Sequence, residues 1–269
     1  MKKTLLITRR LLSDSRTSLL WAFIALFLLA TMLVFAFPSI KTVDFSGYLE
    51  SFPPALMEAF NINSTDFSDF TVFISTEYLG FTWVFVLLPF VISWGTDLAG
   101  RAEKGITALD LSYPVKRVEL VSAQFLNLII KSLLATVFVV VGILIPAQFI
   151  ETTIDYESWL RFSLFLWLFI TSLAFVAGLF SSVLLIRSKA TWFTAGFLIG
   201  SYFLNILAKL VESINDLKYL SIFNYYGDPV RMLKEGVYDE TAVAVFFIII
   251  IVTSSLGIFI FRRKDLPAG

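Results

Sequence analysis

Six stretches of this chain are each long enough to cross a lipid bilayer, and none of them carries a charge. They are residues 17–40, 78–96, 132–150, 162–186, 190–208 and 241–261. Crossing about 30 Å of hydrocarbon takes roughly 20 helical residues at about 1.5 Å each. Peptide groups in lipid have no water to bond to, so a spanning segment must satisfy its own backbone. The runs are continuously apolar and lack the two-residue alternation of a barrel strand. They therefore predict an all-α, polytopic membrane protein with six transmembrane helices. The first run, at 24 residues, exceeds the roughly 7–15-residue core of a cleaved signal, so it is expected to be retained as a span.

Composition enters as support. Of 269 residues, 58% are hydrophobic and 16% are charged, where a soluble domain carries about 25% charged residues. Lysine plus arginine equals aspartate plus glutamate at 21 each, so no net field draws in nucleic acid. The chain has no cysteine and no histidine. That removes disulfides, thiol nucleophiles, Ser-His-Asp triads and His-ligated metal centres. No catalytic residues, cofactor or metal site is expected, and the protein is not read as an enzyme.

The charges are sorted by side. Lys2, Lys3, Arg9, Arg10 and Arg16 precede the first run. Arg101, Lys104, Lys116 and Arg117 lie between the second and third, Arg187 and Lys189 between the fourth and fifth, and Arg262, Arg263 and Lys264 after the sixth. If six helices alternate, all four groups fall on one face of the membrane. The intervening loops, 41–77, 151–157 and 209–240, are net acidic, with Asp44, Glu50, Glu58, Asp66, Asp69 and Glu77 in the first of them. The positive-inside rule then predicts both termini in the cytoplasm of a cell-membrane protein. Trp83 and Trp159 fall near outer ends, and Trp21, Trp94 and Trp192 near inner ends, where indoles favour the interface. No repeat or separate soluble domain is visible, so residues 1–269 form a single transmembrane domain.

Several local features bear on mechanism. Residues 1–16 space Leu5, Leu6, Leu11 and Leu12 at roughly helical intervals among arginines. This fits an amphipathic helix at the cytoplasmic surface, and equally a plain basic flank. Residues 97–120 are polar, hold Gly100 and Gly105, and bracket a short helix-competent piece at 107–111 before Pro114. Such a piece makes either a connecting loop or a rigid peg for a partner. Gln124, Asn127 and Lys131 share one helical face at the start of the third run. An intramembrane charge marks a functional path, unless Lys131 reaches the headgroups by snorkelling, which its position favours. Gly196 and Gly200 form a GxxxG pair in the fifth run, and Ala174 and Gly178 a similar pair in the fourth. These suit close helix packing within the chain or at a dimer interface. Asn63-Ser64-Thr65 matches a glycosylation acceptor, a pattern too common to carry weight.

The order EKGITALDLSYPVKR at 103–117 resembles the acidic–Gly–Thr–Leu–Leu–Ser–x–Pro–x–x–Arg signature of type-2, export-type ABC transporter permeases, with Asp110 where the first leucine stands. YLESFPPALMEAFNI at 48–62 is similar to the extracellular segment that follows their first helix. LSIFNYYGDP at 220–229 is similar to their outer segment between helices five and six. FRRKDL at 261–266 is similar to their closing Phe–x–x–Arg–Asp. The resemblance implies a permease subunit that pairs with a second permease chain, identical or a sister, and with two copies of a separate ABC ATPase subunit. The chain has no GxxxxGK[ST] loop to cradle ATP phosphates. It further implies that 97–120 is the coupling element, with Glu103 and Arg117 in charged contact with the ATPase. Gly105 and Pro114 would shape the loop, and Thr107, Leu109 and Leu111 would pack into the ATPase surface. A secondary transporter or channel, which would need intramembrane acids or repeats, and a non-transporting scaffold are the alternatives.

Overall fold

The computed structural model describes residues 2–42, 67–80 and 82–265. The 48–62 segment, the Asn63-Ser64-Thr65 triplet, four of the acids of the first acidic loop (Asp44, Glu50, Glu58 and Asp66) and Leu266 lie outside them. Among the described residues there is helix and turn and no strand. Chain order gives α1 (Lys2–Asp14), α2 (Arg16–Ile40), α3 (Phe70–Ile74), α4 (Thr82–Gly95), α5 (Asp97–Glu103), α6 (Ile106–Ser112), α7 (Arg117–Ala147), α8 (Tyr156–Leu184), α9 (Arg187–Leu210), α10 (Pro229–Glu235) and α11 (Glu240–Arg263). A π turn, Ser75–Leu79, extends α3, and two 3₁₀ segments, Glu212–Leu220 and Ile222–Tyr226, separate α9 from α10.

Five helices, α2, α7, α8, α9 and α11, are long and apolar enough to cross a membrane. A sixth span exists only if Phe70–Leu79 and Thr82–Gly95 count as one, with a 41° bend between them. The run at 78–96 is thus not one straight helix. The 14 residues of α4 reach about 21 Å, short of the hydrocarbon thickness. The break centres on Gly80, where an added Cβ would sit 2.4 Å from the Thr76 carbonyl oxygen. Only glycine permits that turn. In contrast, α7 begins at Arg117, well before the apolar run. The Glu119 carboxylate accepts the Lys116 N–H at 2.8 Å and closes the first turn, so the helix runs through its polar stretch.

Helix starts at the acidic loops share one device. Asp69, Asp155, Asp228 and Asp239 each accept a backbone N–H of the turn they open, at 2.8–3.1 Å. A carboxylate there satisfies an orphan donor and meets the positive end of the helix dipole.

α8 occupies the centre and packs on α4, α7, α9, α10 and α11. α7 lies between α2 and α8, with α1 across its first half. α2, α9 and α11 are peripheral and turn large apolar side chains outward, including Met32, Phe35, Trp192, Phe203, Phe247 and Ile251. Faces of that size do not stand in water; hydrocarbon is their solvent. Trp21 and Trp192 are exposed, in keeping with an interfacial role, but Trp83, Trp94 and Trp159 are buried in the bundle. Their indoles serve packing: Trp83 donates to the Leu79 carbonyl at 3.0 Å and Trp94 to Ser18 Oγ at 2.7 Å.

Candidate functional site

At one end of the bundle the N-terminal helix, the 97–116 connection and the C-terminal tail converge. α5 continues from α4 after a turn at Thr96, and Gly105, at φ +70°, lets the chain reverse into α6. A side chain there would force a left-handed backbone that costs about 1–2 kcal/mol for an L-residue. α6 is braced from below. Its Asp110 carboxylate takes Arg10 at 3.1 Å and Arg101 at 2.9 Å, and Arg101 also reaches Asp14 at 3.2 Å. The side chains of Arg101 and Asp110 are only 11% and 15% exposed, so the pair is largely shielded from water. Lys3 donates its ammonium to the Pro114 carbonyl. On α1, Leu11 and Thr8 face inward and Thr8 Oγ1 donates to the Ala123 carbonyl at 3.2 Å. Leu5 and Leu6 of α1 stay exposed.

The residues singled out in the sequence divide by direction. Leu109 and Tyr113 point outward, 61% and 65% exposed. Pro114 is exposed and Leu111 half-buried. Thr107 is buried and supports α6 from within, so a partner cannot reach it in this arrangement. Glu103, though exposed, accepts the Arg187 backbone N–H at 2.9 Å and caps α9 from across the chain. Arg117 donates to the Lys264 carbonyl, and Lys264 in turn donates to the Val183 carbonyl. Both charges are therefore engaged inside the chain. Arg101 and Asp110, the pivot of the end, were not legible as partners in the sequence, where the loop simply alternates charge.

Deeper in the bundle, Gln124, Asn127 and Lys131 are 2%, 0% and 1% exposed. Snorkelling, favoured from the sequence, is not what Lys131 does: the side chain turns inward, and its Nζ lies 6.0 Å from the centre of the Trp94 ring. Gln124 donates to the Trp94 carbonyl at 3.0 Å. Next to Lys131 in the chain, Ser132 shares a 2.7 Å hydroxyl bond with Thr171 between α7 and α8. Among the described residues no three acidic side chains converge as a metal site.

The two small-residue pairs part company. A Cβ on Gly178 would lie 2.9 Å from Phe125 and 3.1 Å from Leu128, so this glycine sits in the α7–α8 seam. A Cβ on Gly196 or Gly200 would meet nothing within 4 Å. That pair opens on the free face of α9.

Comparison with protein-family models, curated proteins and solved structures gives no match for this chain.

Proposed function

We propose that this chain is the membrane-spanning subunit of an ATP-driven transporter of the type-2 ABC permease kind, working as an exporter. It has six spans, with the bent α3–α4 pair as the second, and both termini in the cytoplasm. The α5–α6 element is the dock for a separate ATPase. The observation that carries this reading is the braced platform: a short helix, held by Asp110 against two arginines, that leaves Leu109 and Tyr113 uncovered at the basic end. Apolar side chains on a polar, fixed peg suit a protein groove better than lipid or water. The bracing matters because a push on the peg then reaches α4, α7 and α9 rather than a slack loop.

The second permease chain seats on the free face of α9. Gly196 and Gly200 would allow a neighbouring helix to approach closely there. Glu103 and Arg117 contribute by stiffening the platform, Glu103 through the start of α9 and Arg117 through the C-terminal tail.

Co-purification tests the docking. An ATPase chain should follow the wild-type protein and be lost with Leu109→Glu, while Lys104→Ala keeps it. Failure of the wild type to retain any ATPase, with solute moving in liposomes without ATP, would replace this reading by secondary transport. The chain has no native cysteine, so single substitutions report sidedness directly. Ser112→Cys should label only from the cytoplasm and Ser213→Cys only from outside.

A further inference from the structure

Four polar atoms on one face of α7 have no hydrogen-bond partner among the described residues: Gln124 Oε1, Asn127 Oδ1 and Nδ2, and Lys131 Nζ. Their spacing of three and four residues stacks them on successive turns. The side chains that own them are fully enclosed. A buried polar group without a partner is costly, and an ammionium without a counter-charge far more so. Packing does not require it, since leucine and methionine would fill the same volume. The nearest acids acting on Lys131 are Asp97 and Asp14, at the basic end. Neither comes within ion-pair distance of it, and Asp14 is already held by Arg101.

We propose that Gln124, Asn127 and Lys131 form a binding site for an oxyanion, phosphate or carboxylate, carried by an amphipathic solute. The donors match such a group: the ammonium of Lys131 and the amide N–H of Asn127 address anionic oxygens. The acceptors, Gln124 Oε1 and Asn127 Oδ1, take a hydroxyl or amide N–H beside it. The Trp94 ring beside Lys131 is buried and apolar, which suits the hydrophobic part of the same molecule. The stripe is closed to solvent, so a ligand would enter only if a helix moved, and α4 is the one least firmly held against α7. This helix is short, is bent by 41° from the segment before it, contains Pro89 and ends in the turn at Thr96. It touches α7 over a much shorter stretch than α2 or α8 does. As a substrate site, the stripe rests on the transport reading above; binding itself does not need the ATPase.

The test uses the full-length protein in nanodiscs of zwitterionic lipid, with thermal unfolding followed by tryptophan fluorescence. Dodecyl phosphate and dodecanoate are the anionic probes, and dodecanol and dodecyltrimethylammonium the controls. The anionic probes should raise Tm saturably and the controls should not. A rise with both anions assigns a general oxyanion site; a rise with dodecyl phosphate alone assigns a phosphate site. Lys131→Met should abolish the rise, Lys131→Arg should keep it, and Asn127→Leu should weaken binding about tenfold, the loss of one hydrogen bond to a charged group. Equal shifts from all four probes, or a full anion response in Lys131→Met, overturn the site. If Lys131→Met does not fold, the Asn127→Leu titration decides alone: undiminished affinity overturns the proposal. ATPase capture is measured on the same variants. Loss of anion selectivity with intact capture removes the site and leaves the transport reading standing. Anion selectivity without any capture removes the transport reading and leaves the site.

Discussion

The two ends of the bundle are held together by different physics. At the acidic end, Trp83, Phe165, Phe169, Phe223, Tyr226 and Phe246 interlock, with Phe169 and Tyr226 ring centres 4.7 Å apart. The Tyr226 hydroxyl donates to the Leu79 carbonyl at 2.9 Å, and Ser221 is bonded to Ser201. This end is held chiefly by ring packing, and Ser75 Oγ, Thr76 Oγ1 and the Tyr238 hydroxyl are left without a partner among the described residues. The basic end relies more on charged side chains, Arg10 and Arg101 on Asp110 and Arg117 on the Lys264 carbonyl. It leaves Leu109, Tyr113, Leu5 and Leu6 uncovered. The contrast teaches where to look for a partner. Leu109 and Tyr113 of the basic end stand exposed on an ion-paired support, the ground on which that end is proposed above to dock a partner.

The largest expected effect breaks the acidic end. Phe169→Ala removes a fully buried ring from the cluster and should cost about 3–5 kcal/mol, read as a large fall in Tm in detergent. Gly105→Val at the basic end comes next. It places a β-branched residue at φ +70° and should cost about 1–3 kcal/mol, with ATPase capture falling along with stability. Asp110→Asn should cost about 1 kcal/mol, because Arg101 keeps Asp14 as a partner and Arg10 at the edge of the network is exposed. Its deficit should shrink at high salt, which screens the wild-type network. Phe169→Ala should show no such salt dependence, and that difference is what separates the two ends.

The smallest effect lies with Lys234 to Asp69 at 2.9 Å, the long-range ion pair on the acidic side among the described residues. Burial pushes the Asp69 carboxyl up, but the Lys234 bond, the Val72 N–H and the Lys234 charge outweigh it and hold it below its ordinary 3.8. A depressed carboxyl contributes stability above the unfolded value and loses it as pH falls through the folded one. Lys234→Met should therefore cost only a few tenths of a kcal/mol near neutrality, since both side chains are partly exposed, at 43% and 35%. The difference from wild type should vanish once the pH drops well below 3.8.

Much of the frame was legible in the residues. Long uncharged runs at α2, α8, α9 and α11 announce their helices to within a few positions, because apolar length is a sum along the chain that needs no partner. The short helix before Pro114 was visible from its composition. Three things were not. The break at Gly80 hides inside an apolar run, because a bend changes no residue's hydropathy. The start of α7 at Arg117 is not given by the shared face of Gln124, Asn127 and Lys131, because it is set by the Glu119 carboxylate closing the first turn on the Lys116 N–H. The inward turn of Lys131 reverses the direction that its position suggested. For the candidate platform, the sequence singled out the 97–120 loop. It assigned outward roles to Thr107, Glu103 and Arg117, which the fold turns inward or binds to its own chain.

By itself, then, the sequence determined that the chain is a multi-pass membrane protein with basic and acidic sides. Those properties follow from transfer of side chains between water and lipid, and each residue contributes independently of its neighbours. The tertiary structure alone decided which apolar faces meet protein and which meet lipid, since hydrocarbon and a leucine-rich interior are equivalent solvents for a side chain. It also decided that Arg101 and Asp110, rather than Glu103 and Arg117, form the pivot of the basic end, and that three polar side chains of α7 are sealed inside. Hydrogen bonds and ion pairs depend on positions in space to within a fraction of an ångström, and no spacing along a chain encodes those.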